Sequence, residues 1–285
     1  MKKITILIAI AMATQIAIAQ QPFLYAPELF NPKVSAGVCG FSEDGKTIYY
    51  VQEDTLQEKL FLYYAVRKNN QWVNPQLMPF SGNYNDLGGR LSKDGKEYYF
   101  TSDRPGGSSN PDDVWNIWHS TQSNGEWIDP KPLLELNNKG NECCPLPAYD
   151  DKNALIFSAD REKATSWWIS RLNLSTGEEL FMDSLNGDRL IQWPSFFVDS
   201  NTLLLNSMRR TDSFGMDDIY ISFKKNGVWS KPLNVGVPIN SKVYEDGAIL
   251  TPDKKHLIFL RHDTHETPSR VMAVEWEPVI KKLRR

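Results

Sequence analysis

The chain is poor in the side chains that most often do chemistry: 285 residues hold 4 His and 3 Cys. No His-Glu-x-x-His occurs, the order that sets two metal ligands on one helical face around a base. A Gly-x-Ser-x-Gly elbow for a nucleophilic serine and a Gly-Lys-Ser phosphate loop are missing too. Positive charge is limited. With 32 Lys and Arg against 35 Asp and Glu the net charge is −3, and no basic stripe of the kind nucleic acid requires is present. Beyond the first twenty residues no stretch keeps a helical apolar period over eleven positions, which points to an all-β chain.

The first residues carry a different message. Lys2 and Lys3 precede the apolar run "ITILIAIAMA", and Ala17-Ile18-Ala19 stands before Gln20. A basic start, a short apolar middle and a small-residue end predict a secretory signal peptide over residues 1–19. The run is too short for a membrane anchor. The expectation is a periplasmic or secreted monomer cleaved near Ala19, without a membrane span, whose charge falls from −3 to −5 once Lys2 and Lys3 are gone. Export permits disulfides. Adjacent cysteines rarely bond each other, so either Cys39 bridges to Cys143 or Cys144, or all three stay as buried thiols.

A repeat organises the remainder. "FSEDGKTIYYVQED", "LSKDGKEYYFTSDR", "AYDDKNALIFSADR", "FVDSNTLLLNSMRR" and "LTPDKKHLIFLRHD" align on Asp44, Asp94, Asp151, Asp199 and Asp253, spaced 50, 57, 48 and 54 residues apart. A period near 50 belongs to propeller blades rather than helical solenoids. Three units add a second apolar run and a turn leading to Trp72, Trp127 or Trp229, with a proline three residues on. Asn124-Gly125 and Asn226-Gly227 are hairpin turns, since both residues tolerate positive φ. Each unit therefore reads as four strands. The fifth lacks its last strand, and "PFLYAPELFN" near the start supplies one. A single domain over 20–285 is expected: a five-bladed β-propeller, rather than six-bladed, whose ring the N-terminal strand 22–31 closes. Its blades are about 35–85, 86–141, 142–189, 190–243 and 244–285. Closure of this kind removes exposed sheet edges.

These residues resemble a known family. S-x-D-G-K, an apolar run, S-D-R, a Gly-rich loop and then D-I-Y is similar to the WD40-like repeat, Pro-Asp type, of exported bacterial proteins, as in the propeller of the Tol translocation protein B. The carriers are "SKDGKEYYFTSDRPGG" with "NIWHS", "TPDKKHLIF" and "DIYIS". Units three and four depart from it with "DDKN" and "DSNT". The resemblance implies the fold and leaves function open, since one repeat serves scaffolds, receptors and enzymes.

Propeller geometry gathers candidate residues at one channel mouth. Counting back eight from each anchor gives Ala36, Asp86, Cys143, Ile191 and Glu245, with Glu142 one position removed; counting on ten gives Asp54, Arg104, Arg161, Arg209 and Asp263. Alternating acids and arginines read as ion pairs that hold blades in register, or as a polar pocket for an anionic or sugar ligand. Asp86, Glu142 and Glu245 are the catalytic candidates because the other blades carry no acid there. Arg104, Arg161, Arg209, Asp263 and Trp193 are the ligand-binding candidates. Trp168 is a second platform, although such tryptophans usually pack blades.

No metal site is expected. "RHDTHE" at 261–266 reads as a solvated turn, and His119 and His256 as ordinary strand residues. Calcium is the one cofactor left open, by Asp112, Asp113, Asp212, Asp217 and Asp218, though their loops lack the alternation and terminal Glu of a calcium loop. The expected function is non-catalytic binding of an envelope protein or glycan at the loop face. The alternative is a glycoside hydrolase or polysaccharide lyase, and a third reading is an envelope module with "KKLRR" as a contact.

Overall fold

In a computed structural model, residues 21–109, 114–137, 140–161, 166–187, 191–208, 210–264 and 266–284 are described. The proposed leader, Asp112, Asp113, Arg209 and His265 therefore lie outside the described residues.

The chain is all-β, with a β-propeller fold. Its strands fall into antiparallel units of the kind the repeat predicts. The first holds Ala36–Phe41, Thr47–Asp54, Lys59–Lys68 and Gln71–Leu77. The second runs through Asp86–Leu91, Glu97–Ser102 and Asn116–Ser123 to the short Glu126–Trp127 and Lys131–Pro132. Asn141–Pro147, Ala154–Asp160, Trp168–Asn173 and Glu179–Phe181 make the third. Ile191–Asp199, Thr202–Met208 and Asp217–Lys225 make the fourth, with Val228–Trp229 and Leu233–Asn234 outside. The last has Tyr244–Leu250, His256–His262 and Arg270–Glu275. One parallel bridge, Asp217 to Tyr244, merges the fourth and last units into a nine-stranded sheet.

Turn chemistry follows the sequence. Gly45 and Gly95 sit at φ +65° and +69° in the Ser-x-Asp-Gly-Lys turns, and both residues of Asn124-Gly125 and Asn226-Gly227 have positive φ. Ser42 donates to Asp44 (2.7 Å), which accepts the Lys46 N–H, while Ser42 accepts the Thr47 N–H. The aspartate thus serves the backbone of its own turn. Residues 40–47 also match the Gly-x-x-x-x-Gly-Lys-Thr spacing of a phosphate loop, but they join two antiparallel strands where such a loop opens a helix.

Apolar packing joins the units, supplemented by scattered hydrogen bonds such as Glu142 N–H to Trp115 O and Ser195 Oγ to Ala248 O. Five buried apolar clusters each draw on two neighbouring units, and one of them packs Ile48 and Tyr50 of the first unit against Ile258 and Ala273 of the last. The tryptophans that open the outer strands serve this packing. Trp72 lies against Phe41, Trp127 against Tyr98 and Trp229 against Phe197.

Two expectations about the chain ends are revised. Of residues 22–31, only Phe23–Tyr25 bond along the last unit, Phe23 and Leu24 opposite Ala273 and Met272 and Tyr25 through its N–H to Val271 O. The "PELF" segment instead turns back, with Leu29 and Phe30 N–H bonded to Ala26 O; Pro27 has no N–H to give a ladder. The C-terminal segment forms a helix, Trp276–Leu283. Trp276, Val279, Ile280 and Leu283 line one face and pack on the cluster between the fourth and last units. Eight residues were too few for an eleven-residue periodicity to register. The "KKLRR" tail is partly committed to its own fold, with Leu283 packed and Arg284 3.4 Å from Asp199.

Candidate functional site

Cross-strand register defines the equivalent positions better than counting from the turns. Ala36 faces Gln52, Asp86 faces Ser102, Glu142 faces Ala159, Gln192 faces Ser207 and Glu245 faces Arg261. Cys143 and Ile191 therefore give way to Glu142 and Gln192. Bulges of unequal length, including two register shifts in Ile191–Asp199, defeat a fixed offset. Four units thus carry a polar residue at one structural position, which removes the reason for singling out the acids.

Those acids are occupied. Asp86, Glu142 and Glu245 are each 0% exposed. Asp86 accepts from Arg104 at 2.6 Å and from Ser81 at 2.5 Å. Burial raises its pKa against the opposing pull of Arg104. Glu142 pairs with Arg161, which also reaches Glu179 through two 3.1 Å bonds. Glu245 accepts from Arg261 at 2.9 Å and from the hydroxyl and N–H of Ser241. The arginine of the last unit is therefore Arg261, whereas Asp263 is exposed and pairs with Arg270 at 2.9 Å. Such pairs hold register and leave no carboxylate for a substrate.

A second repeated device adjoins them. Asn137, Asn186 and Asn240 each accept the N–H and donate to the C=O of Ile117, Ile169 and Ile219 respectively. Ser81 accepts the Leu62 N–H in the first unit. The polar strand residue follows five or six positions later, in "SGNYND", "NNKGNE", "NGDRLIQ" and "NSKVYE". That spacing was readable, and it marks the acids as members of a strand-tying motif.

The inner strands of all five units line a channel. Arg90 crosses it, donating from Nε and Nη2 to Ser195 O at 3.1 and 3.0 Å. It lines two cavities. One, of about 560 Å³, opens among the Ser-x-Asp-Gly-Lys turns between Phe41, Lys93, Tyr149, Phe197 and Lys254. The other, a recess of about 200 Å³, is lined by Trp193, Asn206, Thr101, Cys144 and Asp246. Asp246 is the one carboxylate of that lining among the described residues. Its side chain is 24% exposed and lies 3.4 Å from His262 Nε2. Burial lowers the His262 pKa, but Asp246 and the Thr264 carbonyl outweigh it and hold the imidazole above its ordinary value. Trp193 lines the recess, whereas Trp168 packs edge-on against Phe181.

Two of the calcium candidates are engaged locally. Asp218 accepts the Phe214 and Gly215 N–H groups and Asn234 Nδ2, and Asp212 accepts from Arg210. Asp217 is 1% exposed. Burial, then the charges of Asp246, Asp218 and Glu245, push its pKa well above the usual carboxylate range. Within "RHDTHE", Arg261 and His262 belong to a strand and to ion pairs rather than to a solvated turn. All three cysteines are free thiols, so Cys39 bridges to neither partner.

No family model matches the chain, and no curated protein sequence does. Solved structures are similar in fold. A glycoside hydrolase superposes with TM-score 0.59 at 10% identity, covering 94% of this chain and 95% of its own. A thermostable family-43 glycoside hydrolase gives 0.55 at 11%, covering 84% and 88%. An endo-arabinase from Bacteroides thetaiotaomicron VPI-5482 gives 0.54 at 12%, covering 89% and 97%. The chain shares their propeller architecture.

Proposed function

We propose that this chain is an exported, five-bladed, carbohydrate-active propeller that takes a sugar unit into the recess between Trp193 and Asp246. The observation that carries the reading is the recess itself. An indole, an amide and a half-buried carboxylate converge at the channel, the mix of one apolar face and few polar groups that small-ligand sites use. The fold shared with an endo-arabinase and other glycoside hydrolases supports the choice of ligand class. The cluster linking first and last units supports a closed ring of five blades. The leader pattern and the resemblance to exported repeats support export. With one carboxylate in the recess, the chemistry that fits is proton transfer by the Asp246–His262 pair, Asp246 facing the sugar.

One observation favours a second reading, glycan binding without turnover. A two-carboxylate glycosidase needs its acids roughly 5–9.5 Å apart across the sugar, and Asp86, Glu142 and Glu245 are buried in ion pairs. The test is to incubate purified protein with arabinan and a panel of neutral and polyanionic glycans, following both binding and released ends. Released ends that disappear in Asp246→Asn, with the melting temperature nearly unchanged, support the enzyme. Binding lost in Trp193→Ala, without release by the wild type, supports the binder. Neither binding nor release on any glycan sinks both. As a control, Glu245→Ala should unfold about 3–5 kcal/mol more easily, because it strands Arg261 in the interior.

A further inference from the structure

We infer that Cys143 and Cys144 form a vicinal disulfide in the channel wall, a reversible modification site beside the recess. The two sulfurs lie 3.0 Å apart as free thiols. Consecutive strand residues ordinarily point to opposite faces of the sheet. Here a bulge after Cys143 breaks that alternation, and Cys144 takes φ +58°. The left-handed region is costly for a residue with a Cβ. The last unit fills the same place with Gly247, at φ +62°, after Asp246 in the same register as Cys143. The backbone therefore asks for glycine, and the third unit supplies a cysteine whose sulfur meets its neighbour's. Cys144 lines the recess and its N–H is anchored on Thr101 Oγ1 at 3.1 Å.

The step is a two-electron oxidation. The Cys144 and Cys143 sulfurs form one S–S bond and release two protons, while a small-molecule disulfide such as oxidised glutathione is cleaved into two thiols. One thiolate attacks the oxidant to give a mixed disulfide, and the neighbouring sulfur displaces the second glutathione thiol. Contact with Cys144, then burial, push the Cys143 thiol well above the usual range, so closure accelerates as pH rises. Adjacent Cα atoms, about 3.8 Å apart, fall short of the usual disulfide separation, so the ring is strained and readily reduced. That lability separates it from a structural bridge. Closing the ring would reshape the recess wall that Cys144 shares with Trp193, a consequence that rests on the proposed ligand site; the bond itself does not.

Mass measurement tests it without any glycan. The folded full-length protein is treated with oxidised glutathione, quenched, unfolded in an alkylating agent and digested. The expected result is a peptide containing Cys143 and Cys144 about 2 Da lighter than its dithiol form, carrying no alkyl group, with Cys39 alkylated. Prior reduction should restore two alkyl groups on that peptide. Two alkyl groups after oxidation would overturn the inference, as would a cross-link from Cys39 to either residue. Cys144→Gly, which suits the backbone, should fold at least as well as the reduced wild type and lose the mass change. Retention of a lighter form in that variant would also overturn it.

Discussion

Asp217 shows how a single carboxyl can be held neutral in this fold. Its Oδ1 has no hydrogen-bond partner among the described residues, and neither has Asn206 Oδ1. Asn206 Nδ2 donates to Glu245 O at 3.0 Å, and the small effect of Asn206 on Asp217 is to lower its pKa, against the larger effect of burial. The groups facing Asp217 are Asp246, Asp218 and Glu245, all acidic. Its folded pKa lies above the unfolded one, so the native state holds the extra proton. Its contribution to stability is complete below the unfolded value and is lost as pH rises toward the folded one. Urea titrations of the wild type should therefore lose up to about 1.4 kcal/mol per pH unit across that window from this group. Asp217→Asn, a permanently neutral isostere, should remove that part of the slope. An unchanged slope would mean that Asp217 ionises freely.

The elements divide by what their sequence periods could reveal. Strands of six to nine residues alternating around Gly and Asn turns were legible, and so was the structural role of Trp72, Trp127 and Trp229. The helix Trp276–Leu283 was not, because its apolar spacing of three, one and three spans only two turns. Its stability comes from docking, as Trp276 is 4% exposed against Leu204, Leu257 and their neighbours. Trp276→Ala should cost about 3–5 kcal/mol, read as a lower urea midpoint. A loss below 1 kcal/mol would show the helix to be an ornament. The Asn137, Asn186 and Asn240 ties were legible too, but only to an alignment that continued past the outer strand instead of stopping at the tryptophan.

At the scale of the molecule, the pairing of Phe23–Leu24 with the last unit decides whether a sheet edge is left open. Tyr25 extends it with an N–H bond to Val271 O at 2.9 Å. Tyr25→Pro removes that donor and fixes φ at about −65°. It should lower the melting temperature and, by uncovering the edge of Arg270–Glu275, produce concentration-dependent association visible by light scattering. Tyr25→Phe, which keeps the backbone bond, should remain near the wild type. A proline variant that associates no more than the wild type and is equally stable would show that the first unit holds the last by side-chain packing alone.

The sequence by itself determined the all-β class, the repeating unit, the turn types and the N-terminal strand that joins the last unit, because these depend on local backbone preferences and apolar alternation. It also brought together Asp86 with Arg104 and Glu142 with Arg161, but in the last unit it offered Asp263 where Arg261 pairs with Glu245. Whether Asp86, Glu142 and Glu245 faced a ligand or an arginine of their own unit depended on burial, and burial is a property of neighbouring blades. Equivalence between blades depended on bulges, which spacing along the chain does not record. The meeting of two adjacent sulfurs depends on the bulge within one strand, whereas the recess between Trp193 and Asp246 and the Arg90 bond to Ser195 exist only once inner strands of different units converge, since each draws its surroundings from units far apart in the chain.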